Sequence, residues 1–272
     1  MSAFTNIYDD PAFFAQYRKL RESQSGLNEV LEQPAIWSML PETLAGLSIL
    51  DMGCGFGDFA RGARALGAAS IVGIDVSKMM LAAAIEQTVG EGIEYREMRI
   101  EELTIPGRKF DLIVSSLALH YVRDYRDVLR KVAAHLKRGG LFVFSVEHPI
   151  CTARSEQQWI RDQDGKALYW PIDNYRLEGE RRTQWFVDNV VKYHRTIETY
   201  VNGLIEAGFI LQRLEEPEPR PVTSDTIPEL ELQRRRPPFL LIRARWHGDP
   251  PRAVRCIIGL CKRSYSPAAR SG

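Results

Sequence analysis

The chain is short of cysteine, and what it has is scattered. Cys54, Cys151, Cys256 and Cys261 are its four cysteines in 272 residues. No CxxC pair or cysteine–histidine cluster joins them, so neither a metal site nor a disulfide frame is expected. An excess of either charge is also missing. Thirty-six lysines and arginines against 35 acids leave a net charge of +1. That gives nucleic acid no electrostatic footing as the main partner. No apolar run approaches the ~20 residues of a membrane-spanning helix, so a membrane partner is not expected. The first ten residues carry neither a basic n-region nor an apolar h-region. A secretory leader is therefore not expected, and the cytoplasm is the default location. What remains, at 44% hydrophobic residues, suits one globular domain with a large core.

Against these absences stands one dense motif, Ile49-Leu-Asp-Met-Gly-Cys-Gly-Phe-Gly57. Residues 47–52 read as a buried strand and residues 58–66 as a helix. Gly53, Gly55 and Gly57 form the tight turn between them, where backbone can approach a ligand that a Cβ would exclude. The turn also aims free N–H groups outward from a helix N-terminus, which favours an anionic group. A second strand, residues 70–74, then ends at Asp75, an acid placed to accept both hydroxyls of a ribose. Strand, glycine turn, helix, strand and acid together make a nucleoside-binding half. Dinucleotide enzymes usually show G-x-G-x-x-G, whereas here the spacing is G-x-G-x-G.

Asp51-Met-Gly-Cys-Gly-Phe-Gly57 resembles the first motif of class I methyltransferases, which bind S-adenosylmethionine (SAM). Asp75-Val-Ser-Lys-Met-Met-Leu81 resembles that family's start of the second helix, with Ser77 as its N-cap. Lys109-Phe-Asp-Leu-Ile-Val-Ser115 resembles its fourth strand, and the likeness covers roughly residues 45–150. The resemblance implies an α/β fold: a Rossmann-like, seven-stranded, mostly parallel sheet with helices on both faces and the last strand antiparallel. It implies SAM as cofactor and S-adenosylhomocysteine (SAH) as product; no metal is expected, since Ser115-Ser116 at the fourth strand's exit offers no carboxylate for one. Asp51, Gly53, Cys54 and Gly55 would border the methionine part, with Cys54 contributing its backbone rather than its thiol. Asp75 would take the ribose, and Val76 or Met79/Met80 would pack on the adenine, unless the methionines serve plain helix packing. The family usually has an Asp where Arg99 stands, so the Ile100 backbone or the Glu101 side chain would have to meet the adenine amine. Ser115 and Ser116 would lie near the sulfonium end.

By the same resemblance the chain divides into an N-terminal helical cap (1–44), a SAM-binding core (45–147), an acceptor-covering insertion (148–195), the C-terminal part of the sheet (196–246) and a flexible tail (247–272). Within the cap, helices are expected over 11–21 and 27–40, the latter interrupted near Pro34; Tyr17 and Arg21 would face the site or lie on a solvated helix face. A helix over 124–136 is expected to stop at Lys137-Arg-Gly-Gly140 before a strand over 141–145. Arg234-Arg-Arg236 reads as a solvated loop. The insertion carries Trp159, Trp170, Tyr175, Trp185 and Phe186 among charged residues. Such a segment could exclude water and shape a pocket, or simply pack on the sheet.

A methyl group on sulfonium is already electrophilic, so the protein must align an acceptor behind it. A base is needed only if the acceptor must lose a proton. His120, just beyond the fourth strand, is the first candidate base. His148 is the second, and Tyr17 could partner either; a backbone-bonded structural role is equally open to His120. The acceptor would be a small organic metabolite methylated on O, N or C. A SAM-binding protein that transfers no methyl, pericyclase-like or regulatory, is the alternative. A nicotinamide dehydrogenase and an RNA methyltransferase fit less well, on glycine spacing and charge respectively. Oligomeric state is not legible in the chain.

Overall fold

The apolar residues of the inner strands alternate between two faces, and that alternation builds the sheet. A computed structural model describes residues 6–23, 26–219 and 228–248. The expectations for residues 249–272, with Cys256 and Cys261, lie outside them. Seven strands form the central sheet: β1 (Ser48–Met52), β2 (Ser70–Asp75), β3 (Ile93–Glu97), β4 (Phe110–Ser115), β5 (Leu136–Glu147), β10 (Phe209–Glu215) and β11 (Phe239–Trp246). Their spatial order is β10-β11-β5-β4-β1-β2-β3. The β1–β2, β1–β4, β2–β3 and β4–β5 pairs are parallel, whereas β11 runs antiparallel to both β5 and β10. This is the expected Rossmann-like sheet with its last strand reversed.

Period-two patterning divides the strand residues between two cores. Leu50, Met52, Val72, Ile74, Ile113, Phe142 and Phe144 face one cluster. Ile49, Ile71, Leu112, Val114, Leu141 and Val143 face the other. Strands buried on both faces read as continuous apolar runs, which is why they were legible. Helices α3 (Asp58–Ala65), α4 (Lys78–Gln87), α5 (Tyr125–His135) and α7 (Ile197–Glu206) cover the sheet. Ser77, Asp124 and Thr196 cap three of them with side-chain oxygens.

Two local expectations fail. Lys137-Arg-Gly-Gly140 does not stop α5. Its residues already belong to β5, which pairs Leu136 with Phe110 and then shifts register to pair Leu141 with Leu112. Gly139, at φ 82°, serves this bulge rather than a helix cap. In the cap, α1 (Pro11–Glu22) forms as expected, but Pro34 does not interrupt the second helical segment. A π turn over Asn28–Glu32 runs directly into α2 (Gln33–Ser38), and the helical run passes through Pro34 at the change from π to α bonding.

The insertion holds a short helix α6 (Pro149–Thr152) and two antiparallel hairpins, β6–β7 (Ile160–Arg161, Ala167–Tyr169) and β8–β9 (Gly179–Trp185, Val187–His194). Of Arg234-Arg-Arg236, Arg234 ends a last helix, α8 (Pro228–Arg234), and Arg235 and Arg236 follow in a bend; Arg234 and Arg235 are exposed, but Arg235 and Arg236 also have partners in the insertion. Arg235 donates to the carbonyls of Ala167 and Leu168 and lies 4.8 Å from the Trp159 ring centroid. Arg236 stacks on Trp170 at 4.0 Å. Cation–π contacts thus tie the insertion to the core sheet's closing strand.

Candidate active site

The turn after β1 sits where the sheet's strand order reverses, between β1–β2 and β4. Gly53, Gly55 and Gly57 all have positive φ (76°, 52° and 74°). A Cβ on Gly53 would lie 2.5 Å from the Ala118 Cβ, whereas one on Gly55 would meet nothing within 4 Å. Gly53 is thus required by packing and Gly55 by its backbone angle. The Gly53 and Cys54 N–H groups donate to the Ile74 carbonyl, and the buried Cys54 side chain lies against Gly73, away from the ligand edge.

Asp75 accepts from the Gly55 N–H and the Ser77 N–H, each at 2.9 Å. Burial raises its carboxyl above the usual range, and those N–H groups pull it back. Asp51 lacks such help. It is 2% exposed, and its Oδ2 has no hydrogen-bond partner. Burial, with Asp75 and Asp58 adding repulsion, pushes its carboxyl up to about 8. An unpaired buried acid beside an open glycine turn fits a cationic ligand group such as the ammonium or sulfonium of SAM. Ile100 approaches Gly53 from β3's exit, in a 3₁₀ turn (Ile100–Glu102) whose Glu101 carbonyl accepts from Lys131. Arg99, exposed, precedes that turn as its N-cap. Val76 follows Asp75, and Met80 is buried against Phe56 with Tyr8, Phe14 and Tyr17 around it.

The cap closes over this edge. The Ser77 hydroxyl and Met79 N–H both reach Asp9 Oδ1, so the N-terminal turn (Ile7–Asp9) is pinned to α4. Tyr17 stacks on Phe56 at 5.9 Å and meets Trp185 edge-on at 5.7 Å. Burial holds its hydroxyl up at about 12. Arg21 reaches from α1 to Asn28, Glu29 and, at 3.0 Å, Asp58 at the start of α3. Trp185 and Phe186, at the tip of the β8–β9 hairpin, contact Phe13 at 5.4 and 5.7 Å.

Beyond β4 the chain brings His120 and Tyr121 to the same edge, and Tyr121 shares a 3.1 Å hydroxyl contact with Tyr8. His120 is 2% exposed, and its Nδ1 accepts weakly, at 3.4 Å, from the Glu147 N–H. Burial, reinforced by Lys192 and Arg195 and opposed by Glu147, lowers its imidazole to about 4. It is therefore neutral at pH 7. His148 is differently placed. Its Nδ1 accepts from the Ile150 N–H and caps α6, while Nε2 lies 2.7 Å from Glu216 Oε1. With both nitrogens engaged, it has no lone pair to offer a substrate. Ser115 donates to the Met52 carbonyl from inside the sheet. Ser116 instead turns towards the cap and donates to Glu32 at 2.9 Å.

Sequence reasoning passed over Glu32, Tyr8, Tyr121 and the Glu147–Lys192 pair. Lys192, on β9, is 2% exposed and holds Glu147, at the end of β5, at 2.5 Å. Aromatic density flagged the hairpin, but nothing near Lys192 in the chain points to Glu147.

A methyltransferase-domain family model matches residues 50–144. An uncharacterized protein of Haemophilus influenzae is 35% identical over 249 residues, 88% of this chain and 96% of that protein. The crystal structure of a SAM-dependent methyltransferase from Mesorhizobium loti is similar at 45% identity and a TM-score of 0.75, covering 81% of this chain and 100% of that one. A ubiquinone biosynthesis O-methyltransferase from Methylobacterium is 35% identical over 104 residues, 38% of this chain and 41% of its own length. With the glycine turn, the acid ending β2 and the reversed last strand, these likenesses lead to one conclusion: the chain belongs to the class I SAM-dependent methyltransferases and uses SAM as its cofactor.

Proposed function

We propose that this methyltransferase acts on a small organic metabolite, admitted between the β8–β9 hairpin and the exits of β4 and β5. The observation that carries this reading is the cover itself. Two aromatic side chains at the hairpin tip pack on α1, and the buried Lys192–Glu147 pair fastens the hairpin's far strand to the sheet. Such a closed edge suits a small ligand shielded from water. The partial likeness to an O-methyltransferase of ubiquinone biosynthesis supports the same class. Balanced charge speaks against nucleic acid. No helix among the described residues is long and apolar enough to cross a membrane, and the cytoplasm is the proposed setting.

SAM, when bound, supplies an electrophilic methyl group. In this reading Asp75 takes the ribose hydroxyls, Asp51, Gly53 and Gly55 border the methionine part, and Ile100 with Met80 flanks the adenine. Tyr17 and Arg21 close the site from α1. His120 faces the acceptor. Neutral at pH 7, it can orient an acceptor or take a proton from one, and the low proton affinity given by burial makes it a weak base. His148 has no such role. Incubation with SAM and a panel of small acceptors, with mass detection of a one-methyl gain and of SAH, tests the proposal. Methylated product supports it. SAM binding without SAH from any acceptor would favour a cofactor-bound role without transfer.

A further inference from the structure

Glu32 is the one fully buried carboxylate in the described chain that the cofactor reading leaves unused. It lies at the end of the π turn, 0% exposed. Its Oε1 accepts from the hydroxyls of Ser116, just past β4, and Ser145, near the end of β5. Its Oε2 accepts from the Gln33 amide at 2.9 Å, and that amide also lies 3.1 Å from the Ser116 hydroxyl. All of these groups donate towards the acid, opposing the burial that raises its carboxyl above the usual range. The Ser145 hydroxyl does a second job: it accepts from the Leu117 N–H at 2.9 Å. Leu117 has φ 48°, a left-handed conformation that costs a side-chain-bearing residue energy and persists only where surroundings enforce it. The next residue, Ala118, is the one that closes on Gly53 in the cofactor turn. His120 follows two residues later.

The geometry points to Glu32 as a positioning residue for methyl transfer. Through Ser145 it holds Leu117 in its left-handed turn, and so sets where Ala118 meets the glycine turn and where His120 stands. A relay Leu117 N–H to Ser145 hydroxyl to Glu32 joins the N-terminal cap to the exits of β4 and β5. The π turn supports this reading, since the extra residue of such a turn redirects a side chain and is frequent at functional sites. Both Glu32 oxygens are taken by Ser116, Ser145 and Gln33, so it acts through the turn. The inference rests on SAM occupying the glycine turn.

The test compares SAH affinity, by calorimetry, with thermal stability. Glu32→Ala is expected to weaken SAH binding about tenfold, Glu32→Gln, which keeps an accepting oxygen, to retain most of it, and Ser145→Ala, which removes the relay without touching the acid, to weaken it similarly. Leu31→Ala, in the same π turn but facing the apolar core, is expected to lower the melting temperature and leave SAH affinity alone. The double variant Glu32→Ala/Ser145→Ala should weaken binding no more than either single change. If Glu32→Ala does not fold, Ser145→Ala carries the test. SAH affinity unchanged in folded Ser145→Ala or Glu32→Ala, or additive losses in the double variant, would overturn the relay. Failure of the unaltered protein to bind SAH would instead overturn the cofactor reading beneath it.

Discussion

Two regions meet at the carboxyl edge of the sheet and are built by opposite means. The cofactor turn between β1 and α3 is made of backbone and near neighbours: Gly53, Gly55 and, 20 residues on, Asp75. The cover is made of side chains from distant segments, with Phe13 and Tyr17 on α1, Tyr121 beyond β4 and Trp185 in the insertion. A local backbone site suits a fixed group, in the proposed reading the nucleoside. A site assembled from remote side chains can change with the acceptor while the turn stays the same. The two regions should therefore fail separately when altered.

The largest separation is expected at His120. Once an acceptor is in hand, His120→Asn should slow SAH formation about 10²–10⁴-fold with SAH affinity nearly unchanged. Because burial lowers the imidazole to about 4, the proton-accepting form is already complete well below pH 6. Turnover should show no His120 limb between pH 6 and 8, and a limb near 6.5 that vanishes in His120→Asn would break this part of the comparison.

Next in size is the fastening of the cover. Lys192→Met leaves Glu147 with Gln157 as its remaining side-chain hydrogen-bond partner. The Glu147 side chain keeps 22% exposure, so the loss in urea unfolding should be about 2–3 kcal/mol, below the ~3–5 of a fully buried broken pair. Lys192→Met/Glu147→Gln should recover most of it. SAH affinity should change little in either variant; a large loss would show that cover and turn are not independent.

On the other side, Asp75→Ala should weaken SAH binding about 10–100-fold, the value of one or two hydrogen bonds to a charged group. Titration calorimetry reads it directly. The smallest effect per step is at Asp51. Its folded carboxyl titrates near 8 against about 3.9 when unfolded. Stability from holding that proton is fully present below pH 4 and is lost as pH rises through about 8. Asp51→Asn should therefore stabilise the ligand-free protein, by a margin growing on the order of 1 kcal/mol per pH unit between pH 5 and 8. A site residue whose removal stabilises the fold is one retained for its ligand.

The same contrast explains what the sequence made legible. The turn was readable because every part lies within 25 residues of the next and its glycines are required, Gly53 by packing and Gly55 by its backbone angle. The central strands were readable because burial on both faces leaves uninterrupted apolar runs. Lys137-Arg-Gly-Gly140 misled because a glycine pair after a helix suits a cap as well as a strand bulge, and only the pairing with β4 decides between them. Glu32 was invisible: its partners Ser116 and Ser145 lie 84 and 113 residues away, and no local pattern marks a buried acid. Arg235 and Arg236 looked solvated for the same reason, since the tryptophans they cover belong to the insertion.

In the proposed reading the ammonium of the cofactor's methionine part, which SAM and SAH share, would lie against Asp51, whose carboxyl burial raises to about 8. Calorimetric titration with SAH at pH 7, in two buffers of different ionisation heat, tests this most directly. Binding heat accompanied by release of close to one proton, the release disappearing in Asp51→Asn, is the expected result. A folded protein that binds SAH with no proton released, or that gives no heat at all, would contradict it.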